Sequence, residues 1–300
     1  MLSDELTNEE RRKLQGRLVA SPVYRIAFED EEFMNSEELR PVRLQLELLK
    51  PERELRKEDV HSTVVVFGSA RIVSPDLALL DVEIAEEKLK RNPDDPMAIR
   101  DYTKARKRVE YSHYYNEARR FAVMMSRRHQ HDGPCHFVVV TGGGPGIMEA
   151  GNRGAFDVGA KSIGLNITLP HEQEPNPYIS PELCFHFHYF ALRKMHFMMR
   201  ARALVAFPGG YGTMDELFEA LTLVQTGKMP RMPIILVGRD FWAKAINLDF
   251  LVEEGMINPE DKQLVDVVDS AEEIIEILER FYPDCDECRL PAAGSGHGHR

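Results

Sequence analysis

The run Leu204-Val205-Ala206-Phe207, followed at once by Pro208-Gly209-Gly210-Tyr211-Gly212-Thr213-Met214-Asp215-Glu216, constrains this chain more than any other segment. Four apolar residues read as a buried strand, the glycines let the chain turn sharply, and the residues after them open a helix. Such a turn leaves backbone N–H groups and the positive end of a helix facing whatever sits above the strand, which is how a phosphate is held. The expected ligand is a phosphorylated small molecule. Two further segments repeat the pattern. Phe137 to Val140 runs into Thr141-Gly142-Gly143-Gly144-Pro145-Gly146 before a helical pattern at Ile147-Met148-Glu149-Ala150, and Thr63 to Phe67 ends in Gly68-Ser69-Ala70-Arg71. A glycine after a strand is often plain turn chemistry. Three together point to one crevice at the carboxyl edge of a parallel sheet. None is a Walker A loop or a regular dinucleotide fingerprint.

The rest of the chain fits that reading. Apolar runs at Ser162–Ile167, Cys184–His188, Pro233–Val237 and Leu264–Val268 alternate with helical patterns near Met148–Val158 and Ala191–Ala203. Alternation of this kind predicts an α/β fold, a Rossmann-like doubly wound parallel sheet. Residues 1–61 are charged and helical in pattern, with a short apolar face at Leu44, Leu46, Leu48 and Leu49, and form an N-terminal extension. Residues 62–284 form the sheet domain, with a helical insertion at about 75–110: one helix around Ala78–Ile84, a break at Asn92–Pro96, and a second helix from Met97 towards Arg128. Residues 285–300, rich in glycine and polar, form a flexible tail.

The motifs resemble one family closely. PGGYGTMDE matches the PGGxGTxxE signature of the Lonely Guy family, phosphoribohydrolases of cytokinin riboside monophosphates that were long mislabelled lysine decarboxylases. Arg193-Lys194 falls where that family has its arginine–lysine pair, and the segment Gly142–Ala150 matches as well. The resemblance runs from about Thr63 to Tyr282 and is closest to a bacterial-type branch with Gly164–Pro170, Glu172-Gln173 and Asn176-Pro177-Tyr178. It implies hydrolysis of a nucleoside 5′-monophosphate, of the AMP or cytokinin riboside type, to free base and ribose 5-phosphate. No metal or organic cofactor is implied, and the protein is expected to be a homo-oligomer, dimer or higher.

Glu216 is the family's catalytic carboxylate by this match, suited to stabilising an oxocarbenium-like state or activating water. Its spacing from Thr213 also fits a capping box, a purely structural role. Arg193 orients substrate and carboxylate in the functional reading, and Lys194 adds positive field. A solvated basic face shared with Arg200 and Arg202 is the alternative. The amides of Gly209, Gly210, Gly212 and Thr213, with the threonine hydroxyl, are expected to hold the 5′-phosphate. Ser69, Gly143, Gly144 and Glu149 are candidate ribose and nucleotide contacts. Asp215 reads as a first-turn acid favoured by the helix dipole. Met195, Met198 and Met199 read as packing against the sheet, and His186, His188 and His196 as core or substrate-lining residues.

Composition narrows the rest. A net charge of −11 argues against a nucleic-acid polymer as partner, since polyanions are bound by surplus Lys and Arg. Four cysteines and the lack of a leader-like or membrane-length apolar segment read as a cytoplasmic, thiol-reduced protein with no membrane partner. Cys285 and Cys288, with His297 and His299, are half of a zinc spacing whose second cysteine pair is missing, so no metal site is expected. Two other readings stay open: a non-catalytic nucleotide-binding regulator on the same scaffold, and a lysine decarboxylase. The latter lacks the Ser-x-His-Lys segment that would carry a pyridoxal Schiff base.

Overall fold

The computed structural model describes residues 6–130, 135–169 and 174–283. Cys285, Cys288, His297, His299, the rest of the expected tail, and Glu172 and Gln173 lie outside the described residues. The chain divides into two units, Met1–Leu49 and Lys50–Arg300. In the first, α1 (Asn8–Val19) starts with a capping box: the Thr7 hydroxyl accepts from the Glu10 N–H, and the Glu10 carboxylate accepts from the Thr7 N–H. Asp30 caps the short α2 (Glu31–Met34), and α3 spans Arg40–Lys57.

The second unit holds β1 (Thr63–Phe67), α4 (Pro75–Arg91), α5 (Pro96–Tyr111), α6 (His113–His129), β2 (Val138–Thr141), α7 (Ile147–Phe156), β3 (Ser162–Ile167), β4 (Cys184–Phe187), α8 (Phe190–Met199) and β5 (Ala201–Ala206). It continues through α9 (Tyr211–Gln225), β6 (Ile234–Val237), α10 (Arg239–Ala245), α11 (Leu248–Glu253), β7 (Val265–Val268) and α12 (Ala271–Phe281). The seven strands form one parallel sheet in the order β4-β3-β2-β1-β5-β6-β7, the expected doubly wound Rossmann-like α/β fold. From β1 the chain builds outward to β4, then returns so that β5 pairs with the other side of β1. The topological switch point therefore lies between β1 and β5, where folds of this class bind ligands beyond the carboxyl ends of the strands.

The inner strands β1, β2 and β6 are buried on both faces, which is why they read as continuous apolar runs, whereas the edge strands β4 and β7 expose residues. Val64 and Val66 point into a core shared with Tyr115, Phe121 and Met125 of α6 and Ile274 and Leu278 of α12. Val65 and Phe67 point the other way, into a core with Phe197 of α8 and Leu217 and Ala220 of α9.

Three local readings change. The helix expected to run from Met97 towards Arg128 is broken at Ser112, whose hydroxyl donates to the Val109 carbonyl at 2.8 Å. The break frees α6 to pack on the sheet with eight buried residues, whereas α5 buries only Ala98 and Ala105. The helix expected to reach Ala203 ends at Met199, because the Arg200 carbonyl accepts from the Thr63 N–H at 2.9 Å and starts the β1–β5 ladder. Of the three methionines read as core, only Met198 is buried; Met195 and Met199 are exposed.

Candidate active site

The three glycine turns meet at the switch point and brace one another through Ser69. The Ser69 N–H donates to the Pro208 carbonyl at 3.0 Å, and the Ser69 carbonyl accepts from the Ile147 N–H at 3.2 Å. Gly146 makes this approach possible: at φ +74° a Cβ there would lie 2.5 Å from the Ser69 carbonyl oxygen. The turns enclose a crevice of about 680 Å³, within the size range of small-molecule sites. Gly68, Ser69, Ala70 and Arg71 form one wall and Gly209 to Met214 another, with Gly142 and Met148 at the β2 end. Arg193, Phe197 and Glu216 also line it.

Gly210 is the N-cap of α9, and among the described residues no side chain caps this helix end. The N–H groups of its first turn thus have neither an intrahelical nor a side-chain acceptor. A Cβ at Gly209 would collide with the Thr213 hydroxyl, so the glycine is what lets that hydroxyl fold against the turn.

Because α9 starts at Tyr211, Thr213 is inside the helix and not its cap. The Thr213–Glu216 capping box is therefore not formed, and Glu216 has no capping role. Its residue is 3% exposed. One carboxylate oxygen, Oε1, accepts from an Arg193 NH2 group at 3.3 Å, while the buried Oε2 has no hydrogen-bond partner among the described residues. Burial pushes the Glu216 carboxyl up to about 7, against the opposing pull of Arg193 and Lys194. Arg193 comes from α8, its guanidinium 5.2 Å from the Phe190 ring centroid and 5.6 Å from that of Phe197. Burial lowers its pKa, against the charge of Glu216. Its Nε is likewise buried without a partner among the described residues. A buried ion pair with an unmet polar atom on each side is costly to keep for stability alone, and such perturbed pairs cluster at functional sites.

Replacing Arg193 by Lys keeps the charge and removes the planar fork. We expect Arg193→Lys to lower kcat on the order of 100-fold, the scale of losing one preorganised electrostatic partner. Steady-state kinetics check this, and unchanged kinetics would return Arg193 to a structural role.

Not every expected contact reaches the crevice. Gly143 and Gly144 are buried beneath it: the Gly143 N–H donates to the Thr141 hydroxyl at 3.0 Å, and Asn176 Nδ2 donates to both glycine carbonyls. Gly142 lines the crevice instead. Glu149 also lies outside the lining and accepts from the Tyr115 hydroxyl at 2.6 Å, which with burial raises that phenol to about 12. Lys194 pairs with Asp215 at 2.7 Å and Glu219 at 3.2 Å, on the outer side of α8 and α9. Its positive field still reaches Glu216, whose carboxyl it pulls down together with Arg193, and Asp215 is that lysine's partner and more than a first-turn acid. Arg200 pairs with Glu52, so the alternative of a solvated basic face does not hold for that residue. His186, His188 and His196 do not line the crevice, and His196 is buried.

Phe197, Met148, Tyr211 and Met214 line the crevice but were not singled out from the sequence as site residues. Phe197 stands four residues after Arg193, on the same helical face, so spacing could have indicated it. Among the described residues, no group of His, Cys, Asp or Glu is arranged to hold a metal ion, and no helix is long and apolar enough to cross a membrane.

The chain is similar to several known proteins. A family profile described as "Possible lysine decarboxylase" matches residues 148–278. A protein of Oryza sativa subsp. japonica named probable cytokinin riboside 5′-monophosphate phosphoribohydrolase LOGL3 is 30% identical over 152 residues, covering 49% of this chain and 69% of the relative. Cytokinin riboside 5′-monophosphate phosphoribohydrolase LOG7 of Arabidopsis thaliana is 35% identical over 97 residues, covering 32% of this chain and 44% of its own length. The chain thus spans under half of the latter. The X-ray structure of TM1055 aligns with a TM-score of 0.42 at 19% identity, over 73% of this chain and 99% of that one. With the LOGL3 match reaching more than two thirds of that relative's length, and the glycine turns, Arg193 and Glu216 brought to one crevice, the chain belongs to the Lonely Guy (LOG) family.

Proposed function

We propose that this protein hydrolyses the N-glycosidic bond of nucleoside 5′-monophosphates, of the AMP or cytokinin riboside type, releasing free base and ribose 5-phosphate. The observation that carries the reading is the buried Arg193–Glu216 pair, with one carboxylate oxygen unpartnered, in the same crevice as the uncapped end of α9. The α9 turn and the Thr213 hydroxyl hold the 5′-phosphate, which puts the ribose over Glu216. As the C1′–N bond breaks, its electron pair leaves with the base and positive charge develops on the ribose. The Glu216 carboxylate stabilises that charge and accepts a proton from the water whose oxygen bonds to C1′; solvent protonates the departing base. Arg193 keeps the carboxylate oriented, and Phe197, Met148 and Met214 reduce its contact with bulk water. The family likeness also supports a homo-oligomeric enzyme.

The description as a lysine decarboxylase has less support. That chemistry requires a lysine free to form a Schiff base. Among the described residues no lysine lines the crevice, and Lys194 is held by two carboxylates outside it.

Because the carboxylate form of Glu216 is the working one, and burial has raised its pKa to about 7, kcat/KM should climb as pH rises through about 7 and then level off. This limb lies above the value of about 6 at which a substrate phosphate titrates. A pH profile with AMP checks it. A rate that falls through the same range would make Glu216 a proton donor and overturn its assigned role. The activity itself is tested by incubating the protein with a panel of nucleoside 5′-monophosphates and assaying free base.

A further inference from the structure

The crevice contains one cation that the mechanism does not use. Among the described residues lining it, only Arg71 and Arg193 are positively charged, and Arg193 is committed to Glu216. Arg71 has no hydrogen bond from its guanidinium and no ion pair among the described residues, although the chain is acidic and arginines such as Arg108, Arg119 and Arg120 pair with carboxylates. Nor does Arg71 sit on a loose loop. Its own N–H donates to the Ser69 hydroxyl at 3.1 Å, and Ser69 is the residue tied through its backbone to both the β5 turn and the start of α7. Arg71 therefore belongs to a turn held by these bonds, and it lines the crevice together with the uncapped start of α9.

Charge indicates what it is for. A phosphomonoester carries about −1.5 to −2 at neutral pH, while a helix end supplies only about half a positive charge. The α9 turn alone leaves most of the ligand's charge unmet, and the Arg193 guanidinium is held by Glu216. We infer that Arg71 is a specificity-determining residue: it supplies the counter-charge for the phosphomonoester of a ribosyl phosphate bound between the β1 and β5 turns. This rests on the proposed function for the nature of the ligand, yet it is a statement about phosphate binding and does not require turnover. Guanidinium suits the task because its planar fork can give two parallel N–H donors to two phosphate oxygens.

Calorimetric titration of the full chain with ribose 5-phosphate, inorganic phosphate and adenine tests the assignment. Arg71→Gln should weaken ribose 5-phosphate and phosphate by about tenfold to a hundredfold, about 1.4–2.8 kcal/mol at 1.4 kcal/mol per tenfold, with adenine unaffected. Arg71→Lys should recover part of the loss. Ribose 5-phosphate should bind wild type more tightly than phosphate if the ligand is a ribosyl phosphate; equal affinities would contradict that part and leave a general anion site. Unchanged phosphate binding in Arg71→Gln, or an equal loss for adenine, would overturn the assignment. Wild-type protein that binds neither phosphate ligand would overturn it together with the α9 cradle. Wild-type protein that binds ribose 5-phosphate through Arg71 but hydrolyses no nucleotide would leave the assignment standing and remove the hydrolase reading alone.

Discussion

Glu216→Gln is expected to abolish base release, lowering turnover by about 10²–10⁴-fold, while binding of ribose 5-phosphate stays close to wild type. The substitution keeps shape and removes the charge and proton-accepting capacity of the only carboxylate among the described residues lining the crevice. Since Glu216 takes no part in capping α9, losing it does not undo the helix start. A stability signature should accompany the loss. The folded protein holds the Glu216 proton up to about pH 7, whereas an unfolded chain releases it near 4.5. Its contribution to stability is thus fully present below about pH 4.5 and fades as pH rises through 7. Wild type should lose more stability than Glu216→Gln between pH 5 and 8, by at most about 3 kcal/mol. Denaturant melts at the two pH values read this difference. Near-wild-type turnover in the variant would remove Glu216 from the chemistry.

The second large effect concerns the phosphate. Adenosine should be hydrolysed far less efficiently than AMP, because the α9 N–H groups and the Thr213 hydroxyl lose their charged partner. Charge-assisted hydrogen bonds contribute about 1.5–3 kcal/mol each, so two or three of them lower kcat/KM on the order of 10³-fold or more when that binding energy is realised in the transition state. Comparable kcat/KM values for the two would refute the cradle and indicate recognition of base and ribose alone.

How much of this was legible in the sequence follows from which contacts are local. The inner strands were readable because they are buried on both faces; Val64-Val65-Val66 needs no partner to be recognised as core. The β5 turn was readable for a similar reason, since its glycines, its helix start and Glu216 lie within nine residues. What escaped depends on residues far apart in the chain. Nothing near Ala201 shows that the Arg200 carbonyl will meet Thr63 and pull a helix-favouring segment into a strand. Nothing near Glu149 announces the Tyr115 hydroxyl, and the turn holding Gly143 is satisfied by Asn176 from a loop well downstream. Thr213-Met214-Asp215-Glu216 misleads in the opposite direction. It has the letters of a capping box, but Gly210 starts the helix three residues earlier and leaves its amides open.

The central claim is that the C1′–N bond of a nucleotide is cut with its phosphate still attached. Chromatographic quantification of all products from one nucleoside 5′-monophosphate tests it most directly. Our account predicts free base and ribose 5-phosphate in equal amounts, with no inorganic phosphate. Nucleoside and inorganic phosphate as products, or an unchanged nucleotide across the whole panel, would contradict it.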